Sequence, residues 1–332
     1  MSRFAHRAVA GASVARLPED RRPEVGPIAL LPEQEASPVF VEAVRAAGGE
    51  AATLSADTRG IVWLSNSEPE MLLEALEVAP GTSWVQLPWA GVDSFSDALR
   101  SADREGRVWT SAKGAYAQPV AEHALALVLA GMRSFPERVR ASSWGAKKGE
   151  SLFGRNVVIV GAGGIAVQLL QLLEPFGSET TVVRRSAGEV PGATWTVAVD
   201  RLDEVLPDAD VVVLAAAATD ETRHLLDARR LAMLKPTAVL VNIARGSLID
   251  TEALVAALRE ERLLFAGLDV TDPEPLPDGH PLWTEVRALI TPHSADTPEM
   301  IEPLLAERVR QNVEAFLSTG DFVGIVDPRA GY

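Results

Sequence analysis

The sequence VVIVGAGGIAVQLL, residues 157–170, is the clearest indication of the fold class of this chain. Its first four residues are β-branched and typical of a buried strand, and a helical run begins directly after the glycines. Gly161, Gly163 and Ala166 have the spacing G-x-G-x-x-A. In this motif the first glycine permits a tight turn, the second lets the backbone approach a pyrophosphate, and a small third residue lets helix and strand pack closely. The stretch therefore predicts a dinucleotide-binding unit, and the alternative is a glycine-rich turn that holds no ligand.

The residues around this turn also predict which dinucleotide binds. Backbone N–H groups at the positive end of the helix dipole would hold the phosphates, and they belong to Gly161, Gly163, Gly164 and Ile165. An NAD site usually has an acid about 20 residues further on, at the end of the second strand. Here that strand ends in Arg184, Arg185 and Ser186, which can hold a 2′-phosphate but cannot accept from a ribose hydroxyl. NADP is therefore the preferred cofactor, with NAD as the alternative.

Short apolar runs alternate with helical stretches along most of the chain. After residue 155 these runs are NVVIVG, TTVVRR, TVAV, DVVVLAA, AVLVNIA, LFAGLDV and ALIT. Apolar strands that alternate with helices predict an α/β fold with a parallel sheet covered on both faces. A first block of the same kind starts near Ile28. One long helix is predicted from Pro119 to about Arg140, and another follows His293 and is expected to pack back on the first block.

Composition limits the possible functions of the chain. Its 332 residues allow two domains or one large one, and a formal charge of −15 argues against a nucleic-acid or anionic-membrane surface. The chain has no cysteine, which is compatible with a reducing cytoplasm. Without cysteine or a His-Glu-x-x-His motif, no metal site is predicted. The Ala/Arg-rich residues 1–27 are interpreted as an N-terminal extension before the fold begins.

One of the five histidines stands where chemistry is expected. His293 follows the strand ALIT, and open α/β sheets bind their ligands at the carboxyl ends of the strands. Arg245, Asp269 and Glu274 follow two other strands and should reach the same edge. A carboxylate beside an imidazole stabilises its protonated form, and an arginine offers a planar fork to a carboxylate. This set suits hydride transfer to a 2-oxo acid, with histidine as the general acid. The alternative is a group of polar strand-end residues that satisfy one another.

These motifs together resemble the D-isomer-specific 2-hydroxyacid dehydrogenase family. The resemblance covers the chain after about residue 28, and it is strongest in ETRHLLDARRLAMLKPTAVLVNIARGSLIDTEAL, FAGLDVTDPEPLPDGHPLW and LITPHSADT. It implies two Rossmann-like domains with parallel sheets and a cleft between them, the cofactor domain being inserted into a discontinuous substrate domain. The implied ranges are 28–110 and 296–332 for the substrate domain and 111–295 for the NAD(P)-binding domain. The resemblance also implies a homodimer supported by the long helix.

The resemblance implies a role for each site residue. Arg245 would bind substrate, Glu274 would pair with the histidine, and His293 would be the general acid/base. Ile243, Ala244 and Asp269 would contact the cofactor, Asp269 by receiving the nicotinamide amide. The loop that contains Trp89, Ala90 and Gly91 would hold the substrate carboxylate through backbone N–H groups.

The chain also departs from the family pattern, and other functions remain open. Arg184 stands in place of the usual acid, and Asp296 stands after the histidine where a small residue is common, so that it could repel an anionic substrate group. The first hypothesis is an NADP-dependent reductase of glyoxylate, hydroxypyruvate or a similar 2-oxo acid. The alternatives are a D-3-phosphoglycerate dehydrogenase and a non-catalytic dinucleotide-sensing regulatory protein.

Overall fold

The chain divides into two compact units. A computed structural model describes residues 6–7, 14–65, 67–186 and 188–329. The first unit comprises Met1–Tyr116 with Thr297–Tyr332, and the second comprises Ala117–Asp296. The boundary expected from the sequence lies at residue 110 instead. The structure assigns the next six residues to the first unit, where the Tyr116 hydroxyl donates to the Pro88 carbonyl at 2.5 Å.

The first unit is built on a parallel sheet of four strands with the order β2-β3-β4-β5. The strands of this sheet are β2 (Ile28–Leu31), β3 (Gly60–Trp63), β4 (Trp84–Gln86) and β5 (Val108–Thr110), and a separate two-stranded sheet of the unit contains β1 (Val14–Arg16) and β13 (Asp321–Val323). Its helices are α1 (Pro38–Ala46), α2 (Pro69–Val78), α3 (Ser96–Ser101) and α10 (Pro298–Glu314). On the outer side of β2, Ile28 also forms a parallel bridge with Ala51. Counting that bridge as a minimal strand gives the order 2-1-3-4-5, which is the flavodoxin-like form of the doubly wound sheet.

Segments near both ends of the chain complete the first unit. Helix α10 belongs to it, and the Ser37 hydroxyl at the start of α1 donates to Glu302 of α10 at 2.6 Å. Strand β1 pairs antiparallel with β13, and Arg16 forms a bidentate ion pair with Asp321. Residues 14–16, assigned to the extension by the sequence analysis, are therefore part of a two-stranded sheet.

The second unit contains a parallel sheet of seven strands. They are β6 (Asn156–Val160), β7 (Glu179–Arg184), β8 (Trp195–Ala198), β9 (Val211–Leu214), β10 (Val239–Asn242), β11 (Phe265–Leu268) and β12 (Ala288–Ile290). Their spatial order is β12-β11-β10-β9-β6-β7-β8. In order of sequence this is the 3-2-1-4-5-6 arrangement of dinucleotide-binding sheets with one added strand, and its switch point lies between β6 and β9. The predicted parallel α/β fold is confirmed.

Helices cover this sheet, and one of them differs from the expected form. They are α4 (Ala117–Met132), α5 (Phe135–Val139), α6 (Gly164–Leu173), α7 (Leu202–Val205), α8 (Ala228–Leu231) and α9 (Thr251–Arg259). The single helix expected between Pro119 and Arg140 is interrupted because Ser134 adopts a left-handed backbone with φ 53°. Within the described residues, no helix combines the length and apolar character that a bilayer span requires.

Candidate active site

The carboxyl ends of the second unit's strands lie at one edge of the sheet, because all neighbouring strands are parallel. The glycine turn follows β6 at the switch point, and Arg184 ends β7. Arg245 follows β10, Asp269 follows β11 and His293 follows β12. The sheet topology thus places the sequence-predicted cofactor and catalytic residues of this unit on the edge where such sheets bind ligands.

The glycine turn has the shape that a dinucleotide requires. Gly161 has φ 118°, and a Cβ added there would lie 2.3 Å from the carbonyl oxygen of Ala215. Gly163 is the N-cap of α6, yet a Cβ added there would meet no protein atom within 4 Å. Protein packing therefore requires glycine at 161 but not at 163. The open space beside Gly163 and the N–H groups at the helix start, which lack intrahelical acceptors, fit a pyrophosphate. Ala166 is fully buried, as expected for the small third residue.

The end of β7 presents polar side chains beyond this turn. Arg184 is half-buried, whereas Arg185 and Ser186 are exposed. The Arg184 guanidinium lies 3.2 Å from the position that a Cβ on Gly188 would occupy, so it extends along the following segment. On the other side of the switch point, Ile243 and Ala244 are buried at the end of β10.

His293 and Glu274 form a close pair. The imidazole Nδ1 lies 2.6 Å from the Glu274 Oε1, and the two side chains are 46% and 39% exposed. The other carboxylate oxygen of Glu274 accepts a long hydrogen bond from the Thr271 N–H at 3.4 Å. His293 has a left-handed backbone with φ 49°, a conformation that non-glycine residues seldom adopt. This pairing was expected from the family resemblance, and the two side chains lie within hydrogen-bond distance.

The loop around His293 is held by Asp269, which is 2% exposed. Its Oδ1 accepts from the Thr291 hydroxyl at 2.5 Å and from the Ser294 N–H at 2.9 Å, and its Oδ2 accepts from the Ala295 N–H at 3.1 Å. Its carbonyl oxygen accepts from the His293 N–H at 2.9 Å. Burial alone would raise the pKa of Asp269, but the hydrogen bonds, led by those from His123 and Thr291, bring that pKa below its ordinary value.

Arg245 lies in a turn that is fixed by its neighbours. The buried Asn242 donates to the Arg245 carbonyl at 2.8 Å and accepts from the Ala244 N–H at 3.1 Å. The Nη1 of Arg245 donates a hydrogen bond to the Ala244 carbonyl at 2.7 Å. A Cβ on Gly246 would lie 1.9 Å from the backbone of Thr271, so the turns after β10 and β11 touch at this glycine. Gly246 thereby brings the Arg245 turn against the segment that leads to Glu274.

Asp296 interacts electrostatically with Arg245, His293 and Asp269. Its burial raises its pKa to about 6, and the charge of Asp269 contributes in the same direction. The nearby charges of His293, Arg245 and His123 act in the opposite direction. Arg245 and His293 are therefore both close enough to influence one carboxyl group.

The expected substrate loop belongs to the other unit. Trp89 follows β4, is half-buried and packs edge-on against Tyr116 with the ring centroids 5.8 Å apart. Ala90 is exposed and Gly91 is half-buried. The Trp89 carbonyl accepts from the Ala112 N–H at 3.0 Å, which fixes the conformation of the chain before Ala90.

Three contributors to this site were not recognised from the sequence. His123 was not assigned to the site, but its Nε2 lies 3.0 Å from the Thr291 hydroxyl and 3.3 Å from Asp269. Thr291 and the buried Asn242 were not singled out. Asn242 ends an apolar strand one residue before the predicted cofactor contacts, and that position is the only signal for it. In the described ranges, no group of three or more His, Cys, Asp or Glu side chains is arranged to hold a metal ion.

A doubly wound sheet with an open glycine turn at its switch point, and a His–Glu pair on the same edge, defines a dinucleotide-dependent oxidoreductase. The sequence profile described as "D-isomer specific 2-hydroxyacid dehydrogenase, NAD binding domain" matches residues 123–295. The chain belongs to the D-isomer-specific 2-hydroxyacid dehydrogenase family, whose members are NAD(P)-dependent oxidoreductases that act on the CH–OH group of their donors.

Individual relatives agree with this membership. An uncharacterized protein in the proB 3′ region of Corynebacterium melassecola is 39% identical over 277 residues, which are 82% of this chain and 89% of that protein. A glyoxylate reductase from Pyrococcus furiosus is 32% identical over 255 residues, which are 73% and 75% of the two chains. The crystal structure of a D-isomer specific 2-hydroxyacid dehydrogenase from Xanthobacter autotrophicus Py2, in complex with NADPH and MES, superimposes with a TM-score of 0.80. It is 26% identical, and the match covers 93% of this chain and 100% of that one.

Proposed function

We propose that the protein is an NADPH-dependent reductase of small 2-oxo acids of the glyoxylate and hydroxypyruvate kind. The observation that carries this proposal is the 2.6 Å contact between His293 and Glu274, on the sheet edge that also holds the open glycine turn. The similarity to a glyoxylate reductase supports the choice of substrate class.

The His293–Glu274 contact determines which nitrogen of the imidazole gives its proton to the substrate. An ionised carboxylate only accepts hydrogen bonds, so the Nδ1 of His293 carries the hydrogen that Glu274 binds. The Nε2 of the ring then holds the proton that passes to the substrate oxygen. Glu274 stabilises the imidazolium before this transfer and fixes the ring orientation. A bound NADPH supplies the hydride for the same carbonyl group.

Arg245 would orient the substrate, because a guanidinium binds a carboxylate or a polarised carbonyl oxygen through two parallel N–H groups. The backbone N–H groups of Ala90 and Gly91 would bind the substrate carboxylate. The carboxylate of Asp269 would accept a hydrogen bond from the nicotinamide amide. Ile243 and Ala244 would line the cofactor site beside the sheet edge.

The choice of NADPH rests on the end of β7. Arg184, Arg185 and Ser186 offer donors to a 2′-phosphate, whereas a ribose 2′-hydroxyl would find no carboxylate at that position. The NADPH complex of the Xanthobacter relative supports this choice. NADH would bind through the remaining contacts, with lower affinity.

We further propose that the enzyme acts in the cytoplasm as a homodimer. Four apolar side chains with high exposure fall within residues 135–153, including Val139 at 85% and Trp144 at 94%. A second copy of the chain would cover them, because large exposed apolar groups are unfavourable in water. Light scattering after size exclusion should give twice the chain mass, and Trp144→Glu should shift that mass toward the monomer.

The absorbance of the nicotinamide band tests the enzymatic proposal. NADPH or NADH is mixed with glyoxylate, hydroxypyruvate, pyruvate or 3-phosphohydroxypyruvate. We expect NADPH oxidation with the first two substrates. His293→Ala should reduce kcat by roughly 10²–10⁴-fold, the usual contribution of a general acid, while NADPH binding measured by fluorescence persists. Reduction of 3-phosphohydroxypyruvate alone would favour the phosphoglycerate alternative, and no oxidation with any acid would contradict the proposal.

A further inference from the structure

His123 contacts the site from a helix that lies close to the sheet. A Cβ on Gly131 would lie 2.2 Å from the Phe265 ring, and a Cβ on Gly267 would lie 3.0 Å from the Leu127 side chain. These two glycines let α4 approach β11 at short range. His123, two turns before Gly131, therefore reaches the residues that follow β11 and β12. Its side chain is 22% exposed.

The hydrogen atoms in this contact can be assigned. The Thr291 hydroxyl has one hydrogen, and it lies 2.5 Å from an Asp269 oxygen. The hydrogen bonds to Asp269 lower the pKa of its carboxyl, which is therefore ionised at neutral pH and can only accept. Thr291 gives its hydrogen to Asp269, so its oxygen accepts from His123. The Nε2 of His123 thus carries a hydrogen and donates to the Thr291 oxygen at 3.0 Å, with Asp269 at 3.3 Å.

Asp269, the last acceptor in this series of hydrogen bonds, determines the conformation of the loop around His293. Asp269 binds the N–H groups of Ser294 and Ala295 through its carboxylate and the N–H of His293 through its carbonyl. A left-handed backbone at a non-glycine residue is strained and persists only when its surroundings hold it. A change in the Asp269 rotamer would release the two N–H groups directly after His293 and allow the imidazole to move.

We propose that His123 is a positioning residue of the active site, acting through Thr291 and Asp269 to hold the loop that carries His293. It does not touch the reacting atoms. Asp269 is in contact with it, and the ionisation of Asp296 responds to its charge. The inference about turnover rests on the proposed reductase function, but the effect on the His293 side chain does not.

Two substitutions separate hydrogen bonding from packing. His123→Gln places an amide N–H near the position of Nε2 and keeps the donor, whereas His123→Leu fills similar space without one. We expect His123→Leu to lower kcat by roughly 10- to 100-fold, a part of what a well-placed general acid contributes. The KM for NADPH should rise by a smaller factor than kcat falls, because loss of His123 disturbs only the nicotinamide contact of Asp269 and leaves the glycine turn and the end of β7 intact. His123→Gln should recover most of the lost kcat.

Nuclear magnetic resonance of the His293 ring gives a readout that does not depend on activity. Its imidazole signals should shift in His123→Leu and remain near their wild-type positions in His123→Gln, with the melting temperatures recorded for both variants. If His123→Leu does not fold, Thr291→Val removes the same relay with little change in volume and should give the same kcat loss and ring shift.

Three results would overturn the positioning role. The first is a wild-type kcat with unchanged His293 ring signals in His123→Leu. The second is an equal loss of kcat in His123→Gln and His123→Leu. The third is a change in melting temperature with no change in kcat or in the ring signals. A wild-type enzyme that reduces no 2-oxo acid would instead contradict the proposed function, and the ring signals would still test the positioning role.

Discussion

Replacement of Asp296 by asparagine should stabilise the protein in a manner that depends on pH. Burial raises the pKa of this carboxyl to about 6 from an ordinary value of 3.8. The folded protein therefore binds the proton more tightly than the unfolded chain does. Between these two values the unfolded chain is ionised while the folded chain is still protonated, so wild-type stability falls as the pH rises through this window. Above pH 6 the loss is complete, because the folded protein must also ionise.

The size of the effect follows from the difference between the two pKa values. A pKa difference of about 2 units corresponds to about 3 kcal/mol, at roughly 1.4 kcal/mol per unit. Asp296 is half-buried, so partial solvation lowers the expected value to about 2–3 kcal/mol. The asparagine side chain of the variant has no charge to desolvate. The free energy of unfolding should thus be similar for the two proteins near pH 4 and higher for Asp296→Asn by this amount above pH 7.

Urea denaturation followed by tryptophan fluorescence at several pH values measures this difference. Asp278→Asn, at an exposed loop position, is the matched control for loss of one carboxylate. A difference between wild type and Asp296→Asn that is constant with pH, or a variant that is less stable at pH 8, would refute the reasoning. The first result would mean that Asp296 is well solvated, and the second that its charge makes a favourable contact.

Three further predictions concern the sheet edge. Gly163→Ala should leave the melting temperature unchanged but weaken NADPH binding about tenfold or more. Gly161→Ala should instead destabilise the fold, because its Cβ would meet the Ala215 carbonyl. Thermal unfolding measures the stability of both variants, and cofactor fluorescence measures their affinity for NADPH. Arg184→Asp should weaken NADPH more than NADH, and equal losses in the two dissociation constants would exclude a role for Arg184 in binding the 2′-phosphate. Glu274→Gln should lower kcat with little change in cofactor affinity, since it removes the charge 2.6 Å from the imidazole, and a wild-type kcat would count against the pairing.

The parallel sheet of the second unit was predictable because most of its strands consist almost entirely of apolar residues. Such strands must be buried on both faces, and their alternation with helices leaves little choice but a parallel arrangement. Parallel pairing then places every strand's carboxyl end on one edge. The positions of Arg245, Asp269 and His293 on this edge followed from that single step, without knowledge of the strand order.

Elements that depend on contacts between distant residues were not predictable. Strand β1 is three residues long and exists through pairing with β13 at the other end of the chain. Strand β5 is equally short, and the sequence around it shows no alternation. The break at Ser134 is different, because Pro136 at the start of α5 is a local sequence signal for the end of a helix. His123 and Thr291 are 168 residues apart, and no local pattern indicates that they meet.

The two aspartates beside His293 show how one loop keeps carboxylates in different states. Asp269 is the more buried, yet its pKa is lowered, because backbone and side-chain donors satisfy its oxygens. Asp296 receives no hydrogen bond from the described residues, and burial raises its pKa to about 6. Groups whose environments separate their pKa values in this way can carry different roles at one pH. Asp269 keeps a constant charge and can therefore hold the loop rigid, whereas Asp296 gains its charge near neutrality. An anionic substrate at this edge would accordingly meet less repulsion below pH 6 than above it.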